Sequence, residues 1–298
     1  MLAGKVSNTH GPMDADAFTI LLKTIDAPLM QSAKCRATAT LLIALGGGAL
    51  CPRQAAMAEP VTVRYAEGLT HGFLELQTVG GKNIAWGEST QVVRGDRVTS
   101  RMVFRFTDAS LYDETTVFSQ RGTFRLVSDR LIQKGPAFQQ SMDRTIDLAK
   151  SEVAVRDRNK DGTEKVRTDR LELPPDLANG LLFTVVKDIP SRAPGATLPM
   201  VVSTPRPRIV QLEITPQRVD PFSVGNIKRK ATCCVVKIKL GGVAGIIAPL
   251  LGKQPPDLHI WVVENEAPGF VRFEGPLEAD GPVWRIQMAS PAVFQSGH

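Results

Sequence analysis

Apolar and polar residues alternate along most of the chain, and a period of two is what strands with one buried face produce. From Arg97 to Thr107, Val98, Met102, Phe104 and Phe106 share one face, while Arg97, Thr99, Arg101 and Arg105 share the other. Val210, Leu212 and Ile214 alternate with Gln211 and Glu213, and Cys234, Val236, Ile238 and Leu240 with Lys237 and Lys239. Trp284, Ile286 and Met288 alternate with Arg285 and Gln287. Between the runs stand residues that tolerate a positive φ and suit hairpins: Gly80-Gly81, Arg94-Gly95-Asp96, Arg121-Gly122, Asp161-Gly162 and Asp280-Gly281. The pattern predicts roughly eleven to thirteen strands, mostly joined to their neighbours in sequence. A sheet of that size curls or closes. The expected fold is therefore mainly β: an antiparallel curved sheet or half-barrel with one or two short helices on its concave side.

Two segments leave this period. Pro174-Pro175-Asp176 opens PPDLANGLLFTVVKD, which ends at Asp188, with proline and an acid where a helix begins. Gly180 and the β-branched residues from Thr184 to Val186 weaken that helix. Gly241 to Leu251 (GGVAGIIAPLL) is apolar throughout. It reads as a buried loop or short helix, or else as a surface loop that touches a membrane or an acyl chain. Ser191 to Thr197 (SRAPGAT) has the composition of a linker, but the strand pattern resumes directly after it. One β-rich domain is expected over residues 59–298.

Ahead of that domain, Gln31 to Pro60 reads as a secretory signal peptide. Lys34 and Arg36 give it a positive start, and Ala37 to Leu50 (ATATLLIALGGGAL) is an apolar run of 14 residues. That is short of the ~20 residues a spanning helix needs. Ala56-Met57-Ala58 offers the small residues a signal peptidase inspects, with cleavage expected before Glu59. Residues 1 to 29 carry Asp14, Asp16 and Asp26, which suits export badly, so Met30 is the expected initiator. Residues 1–58 are then a dispensable extension plus signal peptide, and the expected location is the periplasm. Cys51 is not a lipidation site, because Leu50 and Gly48 occupy the places of a small residue and a leucine.

The formal charge is +6, and removing the first 58 residues takes away five basic and three acidic residues to leave +4. So mild a balance, without a basic reading element, argues against a nucleic-acid partner. The sharpest basic cluster is Lys228-Arg229-Lys230, followed by Lys237 and Lys239. It is either a set of solvated charges guarding a strand against edge pairing or a contact with anionic lipid. Two cysteines remain, Cys233 and Cys234. Neighbours on a strand point to opposite faces, so Cys234 is expected in the core and Cys233 outward, open to reagents. No disulfide framework or zinc spacing is present.

Catalytic signatures are thin. The exported part has His71, His259 and His298, with no G-x-S-x-G elbow and no H-E-x-x-H pair. Asp257 and His259 would share one strand face, but a structural or surface histidine is the simpler reading. Gly252-Lys253 is no phosphate loop, since Ile247 stands at the earlier glycine position and Gln254 replaces the hydroxyl residue. No cofactor is expected. Asp157, Asn159 and Asp161 with Gly162 match D-x-N-x-D-G, the opening of a calcium loop. The twelfth position, however, is Thr168, the flanks read as strands, and Lys160 and Lys165 carry the wrong sign. A solvent-facing hairpin is the first reading and a weak calcium site its alternative. Among the acids, Asp108, Asp113 and Glu114 could supply a carboxylate pair for acid–base work, although Asp108 to Ser110 reads as a turn. Trp86, Trp261 and Trp284 are expected as core or sheet-face residues.

Phe104 to Gly135 (FRFTDASLYDETTVFSQRGTFRLVSDRLIQKG), Leu173 to Leu181 (LPPDLANGL) and Gly241 to Glu274 resemble a group of exported, uncharacterised proteins of Gram-negative bacteria. That group transfers no catalytic residue. The strand meander, followed by Leu258 to Val263 (LHIWVV), Pro268 and Phe270 to Glu274, is also similar to the lipoprotein-carrier half-barrels of the periplasm. This second resemblance implies an antiparallel sheet around an apolar cavity that helices partly plug. Two functions are expected from these readings. One is a non-enzymatic periplasmic binding or carrier protein for an apolar ligand such as a lipid; the other is an exported hydrolase acting on an envelope or carbohydrate substrate.

Overall fold

A computed structural model describes residues 60–158, 163–203, 206–224, 227–241, 255–263 and 268–289. The expected leader and Met30, the calcium-loop residues Asn159 and Asp161, and the apolar stretch from position 242 onward lie outside the described residues. Among the described residues fourteen strands form one sheet, against the roughly eleven to thirteen expected. In chain order they are β1 (Thr70–Thr78), β2 (Asn83–Arg94), β3 (Arg97–Phe106), β4 (Leu111–Ser119) and β5 (Arg125–Lys134). Next come β6 (Met142–Asp147), β7 (Glu152–Arg158), β8 (Glu164–Arg170), β9 (Ala196–Val202) and β10 (Arg208–Val224). The last are β11 (Ile227–Lys239), β12 (Leu258–Val263), β13 (Gly269–Gly275) and β14 (Trp284–Met288).

The strand order runs β8-β7-β6-β5-β4-β3-β2-β1-β14-β13-β12-β11-β10-β9. Each neighbouring pair is antiparallel. Strands β8 and β9 are consecutive in sequence but stand at opposite edges, so the chain between them must cross the sheet. Residues 171–195 make that crossing on the concave side and act as a plug.

The plug also reveals how far the sheet curls. The Asn179 side chain bonds the Val201 backbone in β9, while a Cβ on Gly180 would run into Thr116 of β4 and Asp129 of β5. Strand β4 is nine places from β9 in the sheet order, roughly 43 Å if the sheet were flat at ~4.8 Å per strand. Adjacent plug residues span that separation, so the sheet wraps around them. The result is an open, curved, mainly β architecture of the expected kind.

Only a four-residue helix, α1 (Leu182–Val185), forms within the plug, followed by a 3-10 turn over Val186–Asp188. The helix expected from Pro174 is absent because Gly180 sits at φ +64, which no helix interior accommodates. Pro175 serves docking instead: its carbonyl accepts the Leu126 N–H at 2.8 Å. Leu177, Leu181, Val185, Val186 and Ile189 join Leu76, Phe104, Phe118, Ile146, Leu212 and Ile286 of the sheet in one buried apolar cluster. At about 25 cal/mol per Å2 of apolar surface removed from water, this shared core is the main term holding plug to sheet.

The alternation read from the sequence is observed where β10 meets β11. Leu212 lies opposite Ile238 and Ile214 opposite Val236. Beyond these pairs the two strands outrun their neighbours, since β9 pairs with β10 only as far as Ile214 and β12 meets β11 only over Thr232–Val236. A two-stranded arm projects from the sheet there.

Candidate functional site

Strand alternation sends Tyr112, Glu114, Thr116 and Phe118 of β4 toward the concave side and Asp113 toward the convex side. Asp113 is held there by a two-pronged pair with Arg101, at 2.9 and 2.7 Å. Asp113 and Glu114 therefore cannot act as one carboxylate pair. Asp108 is likewise a turn residue, accepting the Ser110 N–H at 2.9 Å. The inward partner of Glu114 is Asp129, whose strand β5 brings it opposite Thr116. Sequence alone did not single out Asp129, because the pairing depends on the register of β4 on β5. The inward alternation of β4 was the available signal for Glu114.

Beneath the plug these residues form a polar network inside the apolar core. Asp129 is fully buried; it accepts a hydrogen bond from the Thr116 hydroxyl at 2.8 Å and one from Arg144 Nη2 of β6 at 2.7 Å. The same Arg144 nitrogen lies 3.8 Å from Glu114, and the Tyr112 hydroxyl donates to Glu114 at 2.8 Å. One guanidinium thus serves two carboxyls. Glu114 exposes only 13% of its side chain. Burial, reinforced by the Asp129 charge and opposed by Arg144 and Tyr112, pushes its pKa up to about 7. The Tyr112 phenol is pushed well up, chiefly by burial, then by Glu114. Arg144 Nε is buried without a hydrogen-bond partner among the described residues.

The far end of the plug rests on a second buried carboxyl. Asp188 Oδ1 accepts the backbone N–H groups of Arg64 and Tyr65 at 2.5 and 2.8 Å. Burial raises its pKa, against the pull of those two bonds. Lys187 pairs with Glu67 beside it. The segment from Pro60 is tied down in turn by Val63 N–H to the Gly122 carbonyl at 2.8 Å. Next to this anchor opens a cleft of about 600 Å3. It is open to solvent and its surface is more polar than apolar: Thr62, Arg64, Asp188, Thr197, Glu213 and Thr215 line it, with Val61, Ile189 and Ile214 supplying the apolar part. Its size falls within the roughly 300–1,000 Å3 of small-molecule sites.

The remaining candidates are scattered. His71 is exposed on the convex face, 3.2 Å from Glu88. His259 stacks on Trp261 at 6.0 Å. Asp157 lies one residue before the end of β7, and β7 and β8 flank the calcium-like loop as the expected strands. Trp261 and Trp284 are buried, whereas Trp86 is 58% exposed on the convex face; a period of two does not say which face is wet. Cys233 departs from expectation. It does face away from Cys234, but Trp261, Phe222 and Val271 form a small convex-face cluster over it, so both cysteines are buried and neither forms a disulfide. Burial pushes the Cys233 thiol up to about 11.

Chemically, the network is a proton-binding and packing device, and the plug covers it. At Gly180 the plug lies directly over Thr116 and Asp129. No family profile matches the chain, and no curated protein does. Among solved structures it is similar to a beta-barrel-like protein of domain of unknown function DUF1849 from Brucella abortus, with 8% identity and a TM-score of 0.43. That match covers 75% of this chain and 96% of the other.

Proposed function

We propose that the protein is an exported, non-enzymatic binding or carrier module of the periplasm. Its ligand is apolar, an acyl chain or similar, and occupies the concave side of the sheet when the plug yields. The observation that carries this reading is the cleft of about 600 Å3 against the plug end at Asp188 and Ile189. The cleft adjoins an apolar interior, and the plug contributes only a four-residue helix and a 3-10 turn to hold its own shape. An apolar ligand that displaced the plug would have to replace the contacts that Leu177, Leu181, Val185, Val186 and Ile189 make in the shared core.

The test is mass spectrometry of organic extracts from protein purified out of a native periplasm. A co-purifying lipid or other apolar molecule, in near-stoichiometric amount, is the expected result. Extracts that match those of an unrelated periplasmic protein, together with no saturable binding of added acyl probes, would remove the reading.

A further inference from the structure

The β10–β11 arm is a two-stranded projection with a basic end. The pairs from Asp220 with Ala231 to Val224 with Ile227 have neither β9 nor β12 beside them. Five such pairs reach roughly 15 Å beyond the sheet. Lys228, Arg229 and Lys230 sit on this projecting part and are all exposed. None of the three pairs with a described carboxylate. The one acid on the arm, Asp220, is already engaged by Arg218 at 2.9 Å and by the Trp261 indole N–H at 2.8 Å. The arm therefore carries three uncompensated positive charges.

The root of the arm is braced. A register shift between Pro216 and Arg218 turns Arg218, Asp220 and Phe222 to the convex face. There Phe222 packs against the Trp261, Cys233 and Ala231 cluster, and the Arg218 and Arg272 guanidiniums lie over the Trp261 ring at 5.8 and 5.4 Å. Pro216 and Pro221 lie on the stretch of β10 that β9 leaves free. They lack the N–H groups a further strand would need. The arm is thus held outward and guarded against strand addition, which leaves its charge as the means of recognition.

We infer that the β10–β11 arm docks the protein on an anionic lipid surface through Lys228, Arg229 and Lys230. Charge complementarity selects the partner: lysines flank the arginine, and alternation places Arg229 on one face of the arm and both lysines on the other. Such a two-sided arrangement suits a plane of headgroups better than a single anion on one face. This inference is independent of what the concave side binds.

The experiment is co-sedimentation of the purified protein with phosphatidylcholine vesicles, with or without 30% phosphatidylglycerol. The expected result is binding to the anionic vesicles alone. Each basic residue near such a surface contributes about fivefold, so the combined variant Lys228→Gln, Arg229→Gln, Lys230→Gln should lose roughly a hundredfold in affinity. A control removes three exposed charges elsewhere, Lys82→Gln, Lys134→Gln and Lys165→Gln, and should keep binding within a few-fold. Equal loss in both variants, unchanged binding in the arm variant, or no vesicle binding by the wild type would overturn the inference. Retention of the wild type on dextran-sulfate beads through the arm, without vesicle binding, would assign the arm to a soluble polyanion instead.

Discussion

Glu114 ties the stability of the protein to pH. Its pKa is raised from 4.5 to about 7 in the folded state, so the folded form holds a proton that the unfolded form releases. The linkage has one sign: stability from this group is intact below pH 4.5 and is lost as pH rises through 7. At about 1.4 kcal/mol per unit, the loss is about 3 kcal/mol. Urea midpoints should therefore fall between pH 4.5 and 8 in the wild type, and Glu114→Gln should flatten most of that slope. An unchanged slope in the variant would show that Glu114 does not titrate in this range. Asp188 and Glu278, both raised by burial, leave a residual slope of the same sign. The thiols give a second residue-scale test. With Cys233 and Cys234 both buried, alkylation of the folded domain, prepared from residue 59 so that Cys35 and Cys51 are absent, should modify neither, and denaturation should expose both. Rapid labelling of Cys233 would mean that the Trp261 cluster does not cover it.

Among the elements, the plug is where local sequence signals mislead most. Pro174-Pro175-Asp176 has the composition of a helix start, yet these residues belong to the docking turn, and the helix begins only after Gly180. Gly180 is required twice over, by its positive φ and by the approach of Thr116 and Asp129 to its Cα. Gly180→Ala should cost about 3 kcal/mol, combining a left-handed backbone penalty with overpacking. A thermal or urea titration checks it; a loss below about 0.5 kcal/mol would mean the plug does not press on β4 and β5. The charged network beneath it was only half legible. Alternation along β4 separates Glu114 from Asp113, but the pairing with Asp129 depends on a register that shifts between Val117 and Phe118. Such a bulge leaves no clear trace in composition. The strand interiors were easier, because Leu212, Ile214, Val236 and Ile238 need only their own period to be placed.

At the scale of the sheet, the fold class follows from pattern, while the curvature does not. The alternating runs dictate antiparallel strands and turns dictate neighbours, so most of the strand order is sequential. The pairing of β1 with β14 and the crossing from β8 to β9 rest on contacts remote in sequence. No local signal encodes them. Those same contacts wrap the sheet around the plug and make the plug the competitor of any ligand on the concave side. Phe183 is the residue on which to test that competition, since its ring packs against Phe270 at 4.8 Å and Phe273 at 5.3 Å. Removing the ring should ease plug displacement by about 2 kcal/mol, less than the ~3–5 kcal/mol of a fully buried phenylalanine. When the competent state is a minor one, apparent affinity rises with its population, here by roughly thirtyfold. The most direct measurement is a fluorescence titration of nitrobenzoxadiazole-labelled palmitate into the wild type and Phe183→Ala, with thermal melts confirming that both are folded. A plug that yields to an apolar ligand predicts saturable binding by both, and tighter binding by the variant. Absent saturable binding, or a folded variant that binds no more tightly than the wild type, would contradict it.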